Sequence, residues 1–128
     1  MKDGYDSFED LWIWSEAMEI CHEVYLCMKD SRNFKLKDQM FDSSVSMPSN
    51  IAEGFELHTD RLFIRHLYIS KGSAGELRTQ MYLAIRQQHV PEDIGKNLIN
   101  RIKRLAAGIQ NFIAEREKKS RRKSTQKI

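Results

Sequence analysis

Glu19 and His22 stand three residues apart, the Glu-x-x-His spacing with which helical bundles hold paired iron or manganese ions. Such a centre needs a second Glu-x-x-His and two further inward glutamates. The chain offers only Glu53, Glu76 and His66 toward that set, and Thr79 stands where Glu76 would need its histidine. Half the ligands are missing, so the pair reads as part of a solvent-facing acidic helix, and no metal or other cofactor is expected. Ser49, His66 and Glu76 have the residue types of a nucleophile, a base and an orienting acid, but nothing in their spacing gathers them. His66 lies on an apolar helix face and reads as a hydrogen-bonded core or interface histidine. Cys21 and Cys27 project roughly 120° apart on one helix and read as small buried hydrophobes without zinc-ligand spacing. No phosphate-cradling glycine loop is present. The chain is expected not to be an enzyme.

Positive charge is the stronger signal. The 128 residues carry a net charge of +3, which hides a division. Residues 116–128 hold seven Lys/Arg and one acid, net +6, so residues 1–115 carry −3. Residues 1–30 alone carry −6, and residues 60–90 carry +3. At 100° per residue, Arg61, Arg65 and Arg86 fall within roughly 60° of one another, flanked by Lys71 and Arg78 and opposite the apolar face of their helix. Lys118, Lys119, Arg121, Arg122 and Lys123 form a second basic run. Both sets are candidates for contacts to nucleic-acid phosphates, sequence-tolerant and salt-sensitive. Tyr68 and Tyr82 are the only rings near the first set, too few for base readout. The rival reading is a protein-interaction scaffold. Trp12, Ile13 and Trp14 are consecutive, so at least one faces outward, and an exposed tryptophan marks an interface.

Four stretches of helical periodicity must position these groups. The first runs from about Phe8 to Met28 with a stripe of Leu11, Trp14, Met18, Cys21, Tyr25 and Met28, capped by Ser7. The second spans roughly Leu36 to Phe55. The third starts after Thr59 or Asp60 and continues to about Gln88, and the fourth follows "HVPED" with Ile94, Leu98, Ile102, Leu105, Ile109 and Phe112. Short connections and the absence of strand-like alternation give an all-α chain, an up-down-up-down antiparallel four-helix bundle over residues 1–115. Residues 116–128 are expected to be a disordered basic tail. No apolar run approaches a membrane span and no signal-peptide pattern is visible, so a cytoplasmic location is expected.

Pro48 interrupts the second helix, where it removes one backbone hydrogen bond at a cost of about 3 kcal/mol. Ser44, Ser46, Ser49, Asn50, Glu53 and Gly54 crowd around it. The third helix has a matching run, with Gly72, Ser73, Ala74, Gly75 and Glu76. Two patches of small residues imply close approach of the second and third helices, with Glu53 and Glu76 bonding to serines opposite and Pro48 kinking the second helix.

"SVSMPSNIAEGFE" (44–56) and "FIRHLYISKGSAGELRTQM" (63–81) closely resemble the four-helix-bundle proteins encoded in intervening sequences of bacterial 23S ribosomal RNA genes. Met47 stands where that family usually has isoleucine. "FEDLWIWSEAMEI" (8–20) is similar to the family's first helix, and the resemblance extends over roughly residues 8–113. It implies a bundle that assembles as a homopentamer. It also implies kinship with an accessory protein of diversity-generating retroelements, which binds nucleic acid and a reverse transcriptase. The expected role is non-catalytic RNA binding by an oligomer. The alternative is a scaffold for a protein such as a reverse transcriptase or a ribosomal component, with Trp12 and Trp14 at an interface.

Overall fold

The structure, a computed structural model, describes residues 4–126. A 3-10 turn at Phe8–Asp10 precedes α1 (Trp12–Met28), α2 (Phe34–Glu56), α3 (Asp60–Arg86) and α4 (Glu92–Gln126), with no strand among the described residues. The four helices pack as a bundle in which sequence neighbours touch and α4 closes back on α1. As residue numbers rise along α3, the numbers of its partners fall along α4: Asp60 meets Lys123, Tyr68 meets Glu117 and Lys71 meets Gln110. Ile85 lies against Gly95 at the far end.

The helix starts follow local chemistry. The Asp10 carboxylate accepts from the backbone N–H groups of Asp6 and Ser7, each at 3.2 Å. Leu11 then takes an extended conformation and drops fully into the core, which divides the single first helix expected from Phe8 into a turn and α1. The side chains of Asn33 and Thr59 cap α2 and α3 by accepting from Leu36 and Leu62 N–H at 3.2 Å. His58 and Gln88, both with positive φ, reverse the chain after α2 and α3.

The core face of α1 differs from the expected stripe. Ile13, Ala17, Ile20 and Val24 are fully buried, whereas Met18 and Tyr25 stay largely exposed. α1 carries two apolar stripes, and the one made of aliphatic residues that fit a narrow bundle interior faces inward. The other, with Trp14, Met18 and Cys21, lines a shallow groove against Val45, Pro48, Ser49 and Ala52 of α2. α4 also departs from expectation. It runs unbroken to Gln126, through the segment expected to be a disordered tail. No glycine or proline follows Gly108, and adding residues to an existing helix avoids the cost of nucleation. Arg116 is buried over the Phe63 ring, and Lys123 donates to Asp60 at 2.9 Å, so tertiary contacts hold the extension down.

α2 continues through Pro48, which is buried. The α2–α3 contact is a polar ladder set in an apolar core. Ser46 and Ser73 hydroxyls meet at 2.7 Å, Asn50 Nδ2 donates to Ser46 O and Oγ, and Ser70 Oγ donates to Met47 O at 2.9 Å. Asn50 Oδ1 lies 3.0 Å from His66 Nδ1, and the Glu53 carboxylate is 3.8 Å from the same nitrogen. The serines therefore bond to one another and to backbone rather than to glutamates. Glu53 is mostly exposed beside His66, and Glu76 lies exposed on α3. The ladder satisfies buried hydroxyls that would otherwise cost about 1–3 kcal/mol each.

The glycines divide by function. A Cβ on Gly54 would lie 2.7 Å from His66 Cβ and 3.3 Å from Phe63 Cα, atoms fixed to the α3 backbone. Gly72 and Gly75 face open space, so close α2–α3 packing does not account for them. Gly54→Ala is expected to destabilise the protein by about 1–2 kcal/mol through overpacking. Gly72→Ala is expected to stabilise it by about 0.5–1 kcal/mol through helix propensity. Urea unfolding of the two variants checks both signs.

Candidate nucleic-acid interface

The backbone sorts the bases by what already occupies them. Arg101 reaches from α4 to α1, where its guanidinium forks onto Glu16 (2.7 and 3.3 Å) and also bonds Glu23. The Glu16 hydrogen bonds, set against partial burial and reinforced by Glu23, raise its pKa and hold it charged. It is a structural clamp. Arg116 stacks 5.2 Å above the Phe63 ring and lies 4.0 Å from Asp60. Burial lowers its pKa, and its packing places it inside the bundle and not in a tail. Lys123 is tied to Asp60, Lys71 donates to Gln110 at 2.7 Å, and Lys96 pairs with Glu92 at 2.7 Å.

Exposed bases remain at two places among the sequence candidates. Lys118, Arg121 and Arg122 line a shallow surface on the last turns of α4. On the opposite face of the same turns, Arg61 joins His58, Thr59, Asp60, Ser120, Lys123 and Ser124 around a small polar cleft. The structure thus brings Arg61 and the end of α4 together. Lys119 is half-buried. Along α3, Arg65 and Arg86 are exposed and Arg78 is half-buried, but Arg61 and Arg86 are about 37 Å apart along the helix. The surface between Arg65 and Arg86 holds Tyr68, Ile69, Gly72, Gly75, Thr79, Tyr82 and Leu83, all exposed. The three arginines of the basic face stand toward the two ends of α3, with Lys71 and Arg78, both half-buried, between them on its flank.

The proposed chemistry of the other candidates is not assembled. Ser49 opens onto the α1–α2 groove, whereas His66 turns to Asn50 in the α2–α3 ladder. His22 stacks on Tyr25, and no group of three or more His, Cys, Asp or Glu converges to hold a metal among the described residues. Trp12 is half-exposed and lies across Gly108, while Trp14 packs its edge on Phe8 at 5.3 Å. Ile13 is the buried member of the three. Cys21 and Cys27 are free and half-buried, and burial pushes the Cys27 thiol up.

Sequence reading missed Arg101, Lys103 and Arg104. Glu16 and Glu23 are two turns apart on one flank of α1, a pattern that calls for a cation between them. Lys103 and Arg104 lie between the two windows whose charge stood out. With them counted, residues 60–126 hold fifteen Lys/Arg and six Asp/Glu, net +9, against five Lys/Arg and twelve Asp/Glu in residues 1–59, net −7. The α3–α4 side of the bundle is positive and the α1–α2 side negative.

Fold and surface together define a small helical bundle with a polarised charge distribution. Residues 9–111 match the family described as 23S rRNA-intervening sequence protein. The chain belongs to this family. Its fold is similar to a crystal structure of a protein of unknown function from the S23 ribosomal protein family of Bacteroides thetaiotaomicron VPI-5482. The TM-score is 0.74 at 19% identity, covering 79% of this chain and 97% of that one. No curated protein matches the chain. Among the described residues, no helix is long and apolar enough to cross a membrane.

Proposed function

We propose that this chain is a non-catalytic RNA-binding protein of the cytoplasm, an antiparallel up-down-up-down bundle that works as a homo-oligomer, with the pentamer as the expected form. The observation that carries the reading is the set of exposed bases at one end of the bundle: Lys118, Arg121 and Arg122 along one face of the last turns of α4, and Arg61 and Arg65 on the first turns of α3. Among the described residues no carboxylate pairs with these side chains, so their charge is available to phosphates. Repetition by subunit symmetry multiplies the field. Contacts of this kind position a phosphate backbone without reading base sequence.

RNA binding by the full chain against salt concentration tests the reading, with oligomer mass followed by light scattering. Affinity is expected to fall steeply, about 10³-fold or more between 50 and 200 mM salt if six phosphates are contacted. No RNA binding at 50 mM salt would overturn it. The second reading, a scaffold for a protein partner, draws on Trp12 and on the apolar groove of Phe8, Trp14, Met18, Val45 and Pro48. It would be favoured if Trp12→Ala or Trp14→Ala changed assembly while RNA affinity was negligible at physiological salt.

A further inference from the structure

Lys103 and Arg104 are exposed at the middle of α4, and neither has a hydrogen-bond or ion-pair partner among the described residues. The register that pairs Asp60 with Lys123, Lys71 with Gln110 and Ile85 with Gly95 puts Arg78 of α3 level with Lys103. A second basic cluster therefore sits on the same side of the bundle as the one at the end of α4. Between the two, the outward positions of α4 are Ala107, Asn111 and Ala114, with the Glu115 carboxylate at their edge, all exposed and none of them basic. Fifteen residues separate Lys103 from Lys118 on one unbroken helix, so the clusters stand about 22 Å apart.

We propose that the α3–α4 side binds double-stranded nucleic acid across a groove, with Lys103, Arg104 and Arg78 on one phosphate ridge and Lys118, Arg121 and Arg122 on the other. This rests on the nucleic-acid reading above and specifies its ligand. Two basic clusters with a waist free of bases suit two phosphate ridges flanking a groove about 12 Å wide, since long side chains can reach inward over Ala107 and Ala114 and a carboxylate at the waist keeps phosphates away from it. A single strand would favour an even track of charge with successive rings for stacking. The outward stripe of α4 has no aromatic residue, Tyr68 is held to Glu117, and Tyr82 stands as one exposed ring. α4 is one unbroken helix from Glu92 to Gln126, a single element that can span two ridges of a duplex recognised by its shape. Asn111 at the waist can donate to a ribose hydroxyl or a phosphate.

The test uses the full-length protein with three probes of one sequence: a 20-base-pair RNA duplex, the matching DNA duplex, and the 20-nucleotide single-stranded RNA. Both duplexes should bind more tightly than the single strand, and the RNA–DNA comparison reports any role for the 2′-hydroxyl. Lys103→Ala/Arg104→Ala should weaken duplex binding about thirtyfold at 0.15 M salt and reduce the log–log salt slope by about 1.8, the release expected for two phosphate contacts. Lys103→Arg/Arg104→Lys, which keeps the charge, should bind like the wild type. Equal affinity for single strand and duplex, or an alanine variant indistinguishable from wild type, overturns the proposal while RNA binding itself stands. An alanine variant whose oligomer mass changes while its duplex affinity does not would assign these bases to a subunit contact and also overturn it. Failure of the wild type to bind any probe removes both this proposal and the reading beneath it.

Discussion

A chain ending at Glu117 is expected to bind RNA about a hundredfold more weakly than the full chain at 0.15 M salt, with a salt slope shallower by about 2.7. The size follows from counting bases that remain available. Lys118, Arg121 and Arg122 are exposed on the last turns of α4, whereas Lys123 is committed to Asp60. Each phosphate contact on a duplex contributes a slope of about 0.9, worth roughly fivefold at 0.15 M relative to 1 M salt. Three such contacts give the stated loss. The position of the cut matters. Ending the chain before Arg116 would also strip the cation from the Phe63 ring and from Asp60, mixing a stability defect into a binding measurement. Lys118→Gln/Arg121→Gln/Arg122→Gln should reproduce most of the loss without shortening the helix. Fluorescence anisotropy across a salt series reads both quantities, and unchanged affinity in both variants would rule this end of α4 out as a contact.

Phe63→Ala is expected to cost about 3–5 kcal/mol, a large part of the 5–15 kcal/mol that holds a domain of this kind together. Phe63 is fully buried and meets Phe55 edge to face at 6.0 Å. Gly54 lets α2 approach within van der Waals distance of it, and Arg116 covers its face. Shortening this side chain leaves a cavity and also leaves the buried guanidinium without its ring. The surrounding helices cannot close the gap easily, because the Ser46–Ser73 and Asn50–His66 bonds fix their spacing. Phe63→Leu refills most of the volume and should cost less than half as much. Urea denaturation of the two variants gives the comparison, and an alanine variant within 1 kcal/mol of wild type would show that this end of the bundle repacks freely.

Much of the fold was legible because helices are local. The 3.6-residue recurrence of Leu67, Ala74, Leu77, Met81 and Ala84 marks the inner face of α3, and Thr59 marks its start. The concentration of Ser44, Ser46, Asn50 and Gly54 around Pro48 pointed to close helix contact, and the ladder to Ser70, Ser73 and His66 is that contact. The partners within it were not legible. A serine hydroxyl can donate to a carboxylate or to another hydroxyl equally well on paper, and only the rotation of α2 against α3 turns Glu53 outward while Ser46 meets Ser73.

The sequence by itself determined an all-α chain of four helices, their caps, membership cues for its family and an acidic-to-basic progression along the chain, since these depend on local periodicity and composition. The tertiary structure decided which of the two apolar stripes on α1 is the core, because only one fits between α2 and α4. It also decided that the basic C-terminal segment continues α4, because Arg116 and Lys123 find Phe63 and Asp60 far away in sequence. Above all it separated committed bases from available ones. A lysine or arginine has the same formal charge wherever it stands, but whether a carboxylate or an aromatic ring already holds it depends on which helix lies beside it.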